Sequence, residues 1–419
     1  MKYITIASES HNHKISFCLL TCFLISLPFD IFYSEVFLWT YAIHTLIQLR
    51  KFKRNLFFNK NIILVSLPFL VGVLSASYSR DYTEAMNIST RQVSLFLLPI
   101  LFKLNDFDLL KYKEDLLKIF AFTCTLTVAY LYWDAIHTII YFHMPLRSLF
   151  SLAFMNHNFA FRIGIHATYL SMYVAFSIII FLYLVLKTSN RNLLFFYLLS
   201  AVFLTLSLLQ LSSRAVLIAL FLIITTVLPF FISGKWLKIF LFCAMISCLA
   251  GAYLIIHFDV YRVRYISEFQ EDLKGSPEMI EYNESRMARW KATLDLVKQS
   301  PIIGYGSGSE KKLLKEMYFT RHFYISFINE FNSHSEYLSF LLKAGIIGLI
   351  IYIYVLVKGF IIACKKRDLL FCSFMIIIII VSVSENVLDL NKGIFFYAFF
   401  FSLFLSEKKI DYLKVDKAT

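Results

Sequence analysis

Arg214, Arg286 and His334 lie far apart in the chain, yet their side chains complement one another. Each arginine offers a planar fork that can pair with two phosphate oxygens at once. A histidine at a helix end can take the proton of a hydroxyl nucleophile. Together they suit displacement of a lipid diphosphate, with guanidinium groups neutralising the leaving group, because no carboxylate cluster of metal-binding type accompanies them. Arg289, three residues after Arg286, is the second candidate for the same anion. Each residue also has an ordinary reading: Arg214 as a membrane-boundary anchor, Arg286 and Arg289 as a solvated helix edge, His334 as a structural histidine.

The local frames are legible. Ser212 or Ser213 can cap the helix that Arg214 enters, and Asn283 can cap one over residues 284–298 that stops before Pro301. Met287, Trp290, Leu294 and Val297 fall on one face of that helix, with Arg286 and Arg289 beside it. Ser333 and Glu336 have the spacing of a capping box, which places His334 in the first turn of the next helix, where the positive helix end favours neutral imidazole. Further along, Gly345 and Gly348 form a small-residue face that lets another helix approach. The run Gly304-Tyr305-Gly306-Ser307-Gly308 has the glycines of a phosphate cradle but not the Lys-Ser/Thr ending of a P-loop, so a turn is expected.

Other constellations are weaker. His143, His157 and His166 lack a nearby Cys, Asp or Glu to complete a metal set, and no metal site is expected. Asp134 and His137, one turn apart, are a candidate proton-relay pair or a boundary pair. No nucleophile elbow of the G-x-S-x-G kind occurs. The seven cysteines have no metal or disulfide spacing and read as small core residues.

The elements that must carry these residues are membrane helices. Of 419 residues, 59% are hydrophobic and only 16% charged, against about 25% charged in soluble proteins. Apolar blocks separated by short basic segments predict an all-α polytopic protein with helices near 15–33, 36–50, 61–77, 92–103, 117–140, 165–186, 192–211, 213–232, 237–257, 335–357, 368–387 and 392–406. The first is expected to be retained as a helix, since it has no small-residue cleavage site. Twelve crossings put both termini on one side. The short segments on that side hold 23 Lys and Arg against 7 in the short segments opposite, so the termini are cytoplasmic. The remaining basic residues lie in the long segment 258–334, where 11 acidic residues balance them. The net +13 therefore faces the cytoplasmic leaflet, which suits membrane lipids as partners, and no basic aromatic stripe points to nucleic acid. The division expected is residues 1–257 as helices 1–9, 258–334 as one long external loop containing helices, and 335–419 as helices 10–12 with a cytoplasmic tail. Arg214, Arg286 and His334 all fall on the outer side.

In order and sidedness these residues resemble the bacterial O-antigen ligase and polymerase superfamily. His334, Ser335, Gly345 and Gly348 match the ligase pattern at the end of its loop. Ser285-Arg286 with Trp290, then Pro301-Ile302-Ile303-Gly304-Tyr305-Gly306, resembles the opening of the family's loop region, and Ser213-Arg214 its membrane-boundary arginine. Lys343 departs from the pattern, where many relatives carry an acidic residue. Ser384-Glu385-Asn386 before Gly393 is also similar, without a chemical role assigned to Glu385.

The resemblance implies about twelve spans, a periplasmic loop and a site facing the periplasm of the bacterial inner membrane. It implies a metal-independent, cofactor-free, inverting glycosyltransferase that moves glycan from a polyprenyl diphosphate-linked donor to lipid A-core or another glycan acceptor. His334 would then be the base, Arg214 and Arg286 the diphosphate-binding residues with Arg289 in reserve, and Trp290, Gly304, Gly306, Gly345 and Gly348 structural. Kindred alternatives are an O-antigen polymerase and a protein O-oligosaccharyltransferase. A multispan transporter or flippase is the alternative of another class, for which mid-membrane ionisable residues and related halves would be the sign.

Overall fold

The computed structural model describes residues 6, 9–49, 59–232, 234–274 and 284–406. Asn283, the expected cap, lies outside the described residues. Helices α1 (His11–Ser26), α2 (Ile31–Ile47), α3 (Lys60–Ala76), α4 (Tyr82–Gln92), α5 (Ser94–Leu104) and α6 (Leu109–Tyr141) form the first part of the bundle. Then come the one-turn α7 (His157–Ala160), α8 (Ala167–Lys187), α9 (Arg191–Leu211), α10 (Arg214–Leu222), α11 (Leu228–Phe231) and α12 (Lys235–His257). The long segment contains α13 (Asp259–Arg262), α14 (Glu268–Lys274), α15 (Arg286–Val297), α16 (Glu310–Thr320) and α17 (Tyr324–Ile328), and the chain returns through α18 (Glu336–Lys365), α19 (Leu369–Val381) and α20 (Asn391–Leu405). Asp and Asn supply many of the starts: Asp30, Asn59, Asp81, Asp108, Asn190 and Asp368 each accept a first-turn N–H at the head of a helix.

Helices stand at all twelve predicted positions, but among the described residues seven are long and apolar enough on their own to cross a membrane, with α3, α19 and α20 as shorter apolar helices. The chain is an all-helical, multispan membrane protein. The predicted 92–103 span is extended backward, because α4 and α5 join at Val93 into one run, Tyr82–Leu104. The predicted 368–387 span is cut short at Val381, where residues 382–390 fold into a compact turn.

Two helices form the centre. Every residue of α20 is buried, and α8 is buried over most of its length, the condition of a helix that is apolar all round. Phe120 and Phe176 meet Phe400 at 4.8 and 5.0 Å between ring centres, and Phe374 meets Phe396 at 5.4 Å. Contacts between turns sort into two sets. Glu35 accepts from Asn391 at 2.7 Å, Ser79 meets Ser309 at 3.3 Å and the Asn156 amide donates to Gln210 at 3.0 Å. In the other set Lys113 pairs with Asp368 at 2.6 Å, Lys187 with Glu114 at 3.0 Å, and Asn61 donates to the Leu405 carbonyl at 3.0 Å.

The glycines behave differently from expectation. Gly345 is not part of a helix-packing face but a break in α18, with φ 64 and ψ −163. The 301–306 strip inserts there: Pro301 O accepts from Ile346 N at 2.9 Å, while Tyr305 and Gly306 donate to the Leu342 and Lys343 carbonyls at 3.0 and 2.8 Å. The backbone groups released by the break are thus satisfied by the loop. Gly306 and Gly308 also lie against Ser79 and Asp81 of the α3–α4 turn, so close that a Cβ at Gly308 would sit 2.1 Å from the Asp81 carbonyl oxygen. The glycine run is a docking strip, neither a phosphate cradle nor a free turn. Gly348 does face a neighbour, with Val71 of α3 at contact distance from its position.

Gly345→Ala would place a Cβ 2.1 Å from the Ile302 carbonyl oxygen in a backbone conformation that L residues avoid. A loss of about 2 kcal/mol or more is expected, read as a lower midpoint for heat-induced loss of the monodisperse protein in detergent, with Gly348→Ala milder.

Candidate active site at the ends of the spans

The segment before α18 is shaped by polar contacts that overrule the capping box. Ser335, not Ser333, is the N-cap, and it makes no side-chain cap bond. Ser333 is turned inward: its N–H donates to Glu310 at 3.1 Å and its hydroxyl to the Ser335 carbonyl at 3.1 Å. Glu336 donates its N–H to the Ser382 carbonyl and its carboxylate accepts the Leu388 N–H at 2.8 Å, so helix start and the 382–390 turn are locked together. His334 consequently precedes the helix, with φ 46 in the left-handed region, and its N–H donates to Asn332 Oδ1 at 3.0 Å. A non-glycine residue held there costs free energy, a pattern that clusters at functional sites.

His334 Nδ1 is buried without a hydrogen-bond partner among the described residues and lies 3.7 Å from Glu385 Oε2. At that distance the pair is in contact without a hydrogen bond. Phe331 packs edge-on against the imidazole at 5.4 Å. Glu385 is 8% exposed and accepts from the Thr168 hydroxyl at 3.3 Å. Burial pushes its carboxyl up, but His334, His166 and Arg286 outweigh that and hold it at about 2. Its turn is fastened by Tyr169, which donates to the Asn386 carbonyl at 2.9 Å, and by Gln92, which donates to the Leu388 carbonyl at 2.8 Å.

A cavity of about 310 Å³ opens here, lined among others by His334, Glu385, His166, Lys343, Arg91 and Lys311. His166 caps α8, its Nδ1 accepting from Thr168 N at 3.4 Å, which leaves Nε2 to carry the proton of the neutral ring. His157 packs against it with ring centres 4.1 Å apart. Burial pushes both imidazoles down, His157 to about 4, with His166 adding to the effect on His157. These two histidines meet without a third ligand, and among the described residues no group of three or more His, Cys, Asp or Glu is placed to hold a metal. Asp134 pairs with Arg162 at 3.5 Å rather than with His137, whose ring stacks on Trp133.

In the wall of the cavity lies a network that sequence reading missed. Lys343 sits between Glu310, at 3.0 Å, and Asp389, at 2.8 Å, and Glu310 also accepts from the Ser339 hydroxyl at 2.5 Å. Burial pushes the Glu310 carboxyl up, yet the Lys343 ammonium and the Ser339 and Ser333 donors hold it well below its ordinary value. The loop helix α16 is thereby tied to α18 and to the 382–390 turn.

The arginines assemble beside this cavity rather than in its lining. Asp272 links two of them: Arg214 Nη2 is 2.7 Å from Oδ2, and the Arg286 N–H donates to Oδ1 at 3.3 Å. Arg286 is half-buried at the first position of α15, whose cap is Ser285, accepting from Ala288 N at 3.1 Å. Its charge bears on both Glu385 and His166, which couples the arginine group to the histidine group. Arg289 is drawn elsewhere. It donates to the Glu284 carbonyl at 2.9 Å and lies over the Phe331 ring at 5.2 Å, the ring that supports His334.

The predicted apolar face of α15 also differs. Met287 and Leu294 are exposed and Trp290 half-buried, with its Nε1 inside and unpartnered. The packed face is Arg289, Ala292, Thr293, Leu296 and Val297, selected by α16 and α18 around Leu314, Tyr318 and Leu342. Glu385 and His166 were likewise not assigned to the site. Their only sequence signals were polar residues at the ends of very apolar spans, which many boundary residues share.

Glu310→Gln leaves Lys343 with one carboxylate, and a cost on the order of 3 kcal/mol is expected at neutral pH. Because the native carboxyl titrates below its ordinary 4.5, the stabilisation is full above that pH and is lost as pH falls below it. Thermal midpoints of the two proteins should differ at pH 7 and converge on acidification.

No curated protein matches the chain. Residues 199–353, from α9 into α18, match a family model described as O-antigen ligase, and this stretch carries Arg214, Arg286 and His334 in the order read from the sequence. Over that stretch the chain is thus similar to the O-antigen ligase family, whose members are membrane enzymes that transfer glycans.

Proposed function

We propose that the protein transfers a glycan from a polyprenyl diphosphate to a hydroxyl of lipid A-core at the periplasmic face of the bacterial inner membrane. The observation that carries this reading is the meeting of His334 with the buried Glu385 carboxylate in a cavity that adjoins the linked pair Arg214 and Arg286. His334 takes the proton of the acceptor hydroxyl, and Glu385 stabilises the imidazolium that results. The acceptor oxygen forms its bond to the anomeric carbon as the bond from that carbon to the diphosphate oxygen breaks. Direct displacement inverts the centre. Arg214 and Arg286 receive the diphosphate as its charge develops, supplying the neutralisation for which no metal is invoked. Arg289 supports His334 through Phe331.

The two sets of turn contacts support twelve crossings with segment 258–334 on the outer side. Residues 1–257, 258–334 and 335–419 then form one membrane unit in three stretches.

Transfer between purified donor and acceptor lipids, without ATP and with a chelator present, is the direct test. His334→Ala should lower kcat by about 10²- to 10⁴-fold. Glu385→Gln should lower kcat with donor KM unchanged, and Glu385→Asp should restore part of the loss. Full activity in the His334→Ala protein would overturn the base assignment. A deletion strain separates the acceptors: core without any O-chain identifies a ligase, core bearing a single repeat unit a polymerase, and loss of glycoproteins transfer to protein.

A further inference from the structure

A third arginine belongs to the Arg214 group. Arg264 lies in the wide helical turn Val263–Ser267, where the backbone bonds i to i+5, a distortion found often at functional sites. Its Nε donates to Ser212 Oγ at 3.3 Å, and its Nη1 pairs with Glu268. Ser212 is fully buried and left-handed, with φ 56, and stands two residues before Arg214. The charges of Arg264 and Arg286 both bear on Arg214.

The three guanidinium groups face only two carboxylates that pair with them among the described residues, Asp272 and Glu268, both on α14. Arg214 spends one nitrogen on Asp272, while its Nη1 is buried with no partner among the described residues. The guanidinium of Arg286 makes no ion pair among the described residues. A buried guanidinium donor left unpaired is costly, and Arg214 Nη1 is one, on the arginine whose other nitrogen is held by a single carboxylate, Asp272.

We propose that Arg264 is a third diphosphate-binding residue and that Asp272 occupies the Arg214 fork until the donor's diphosphate displaces it. This rests on the diphosphate reading above and adds two claims to it. The incoming dianion exchanges one carboxylate for two phosphate groups, fills the empty Nη1 and bridges Arg214 to Arg264. Arg264 and Asp272 must then act with opposite sign, which a purely structural ion-pair network would not produce.

The test is binding of methylene diphosphonate to the full-length protein in nanodiscs, with monodispersity checked for each variant. Arg264→Gln should weaken binding at least about tenfold, and Asp272→Asn, which keeps an acceptor for the Arg286 N–H, should tighten it by about fivefold. If Arg264→Gln does not fold, Arg264→Lys is read instead, with a severalfold loss expected because the fork is gone. Wild-type binding with no loss in the Arg264 variant overturns the third-arginine claim, and weaker binding in Asp272→Asn overturns displacement, while the proposed function stands in both cases. No diphosphonate binding by the wild-type protein would remove the diphosphate reading itself and this inference with it.

Discussion

A broken helix in a membrane protein must find new partners for its backbone, and the site depends on how this one does so. At Gly345 the ladder of α18 is interrupted, and in an apolar surrounding each unpaired N–H or carbonyl is costly. The 301–306 strip supplies the missing donors and acceptor. The same strip rests on the α3–α4 turn through Gly306 and Gly308. One local break therefore fixes the long loop to both ends of the chain, and with it the helices that carry Arg286 and Glu310. It also shortens the rigid part of α18 that follows His334, so the imidazole is positioned by a short, heavily braced segment.

Charge then does what apolar packing cannot do at this depth. The buried Glu310 and the half-buried Lys343 and Asp389 form a connected set in which each charge has an opposite neighbour, and both carboxylates accept additional hydrogen bonds. Such a set adds little net stability over an apolar core, but breaking it leaves an uncompensated charge, so it specifies one arrangement. Here that arrangement joins α16, α18 and the 382–390 turn, and Glu385 inherits its place from it.

Legibility in the sequence followed the range of the physical signal. Apolar runs and basic turns are repeated, local and strong, and they located helices at the right positions. Arg214, Arg286 and His334 stood out by side-chain type and order, and the fold brings Arg214 and the Arg286 N–H to one carboxylate, Asp272. What failed depended on tertiary partners. Ser333 has the spacing of a cap but is taken by Glu310. Gly345 has the spacing of a packing face but is a docking point for the loop. Met287 and Leu294 look like a buried stripe, yet α16 and Leu342 lie on the other face of α15. Lys343, an apparent departure from the family pattern, finds two carboxylates from remote segments. None of these partners is within a helical turn of the residue it controls.

On the proposed function, the arrangement separates the two halves of a displacement while keeping them in electrical contact. A nucleophile and a leaving group occupy opposite sides of the carbon they share, so the base and the anion site belong on different elements. Here they lie on the α18 entry and on the α10 and α15 starts. Arg286 spans the gap, since its charge reaches Glu385 and His166 as well as Arg214. On the proposed reading this coupling has a direction. With the three arginines only partly compensated by Asp272 and Glu268, their field opposes a further positive charge in the cavity and favours the ionised Glu385. A bound diphosphate cancels that field, and a proton arriving on an imidazole beside Glu385 then meets less repulsion. Proton acceptance becomes easiest when the donor lipid is in place, which links removal of the acceptor's proton to the presence of a leaving group without any movement of the backbone.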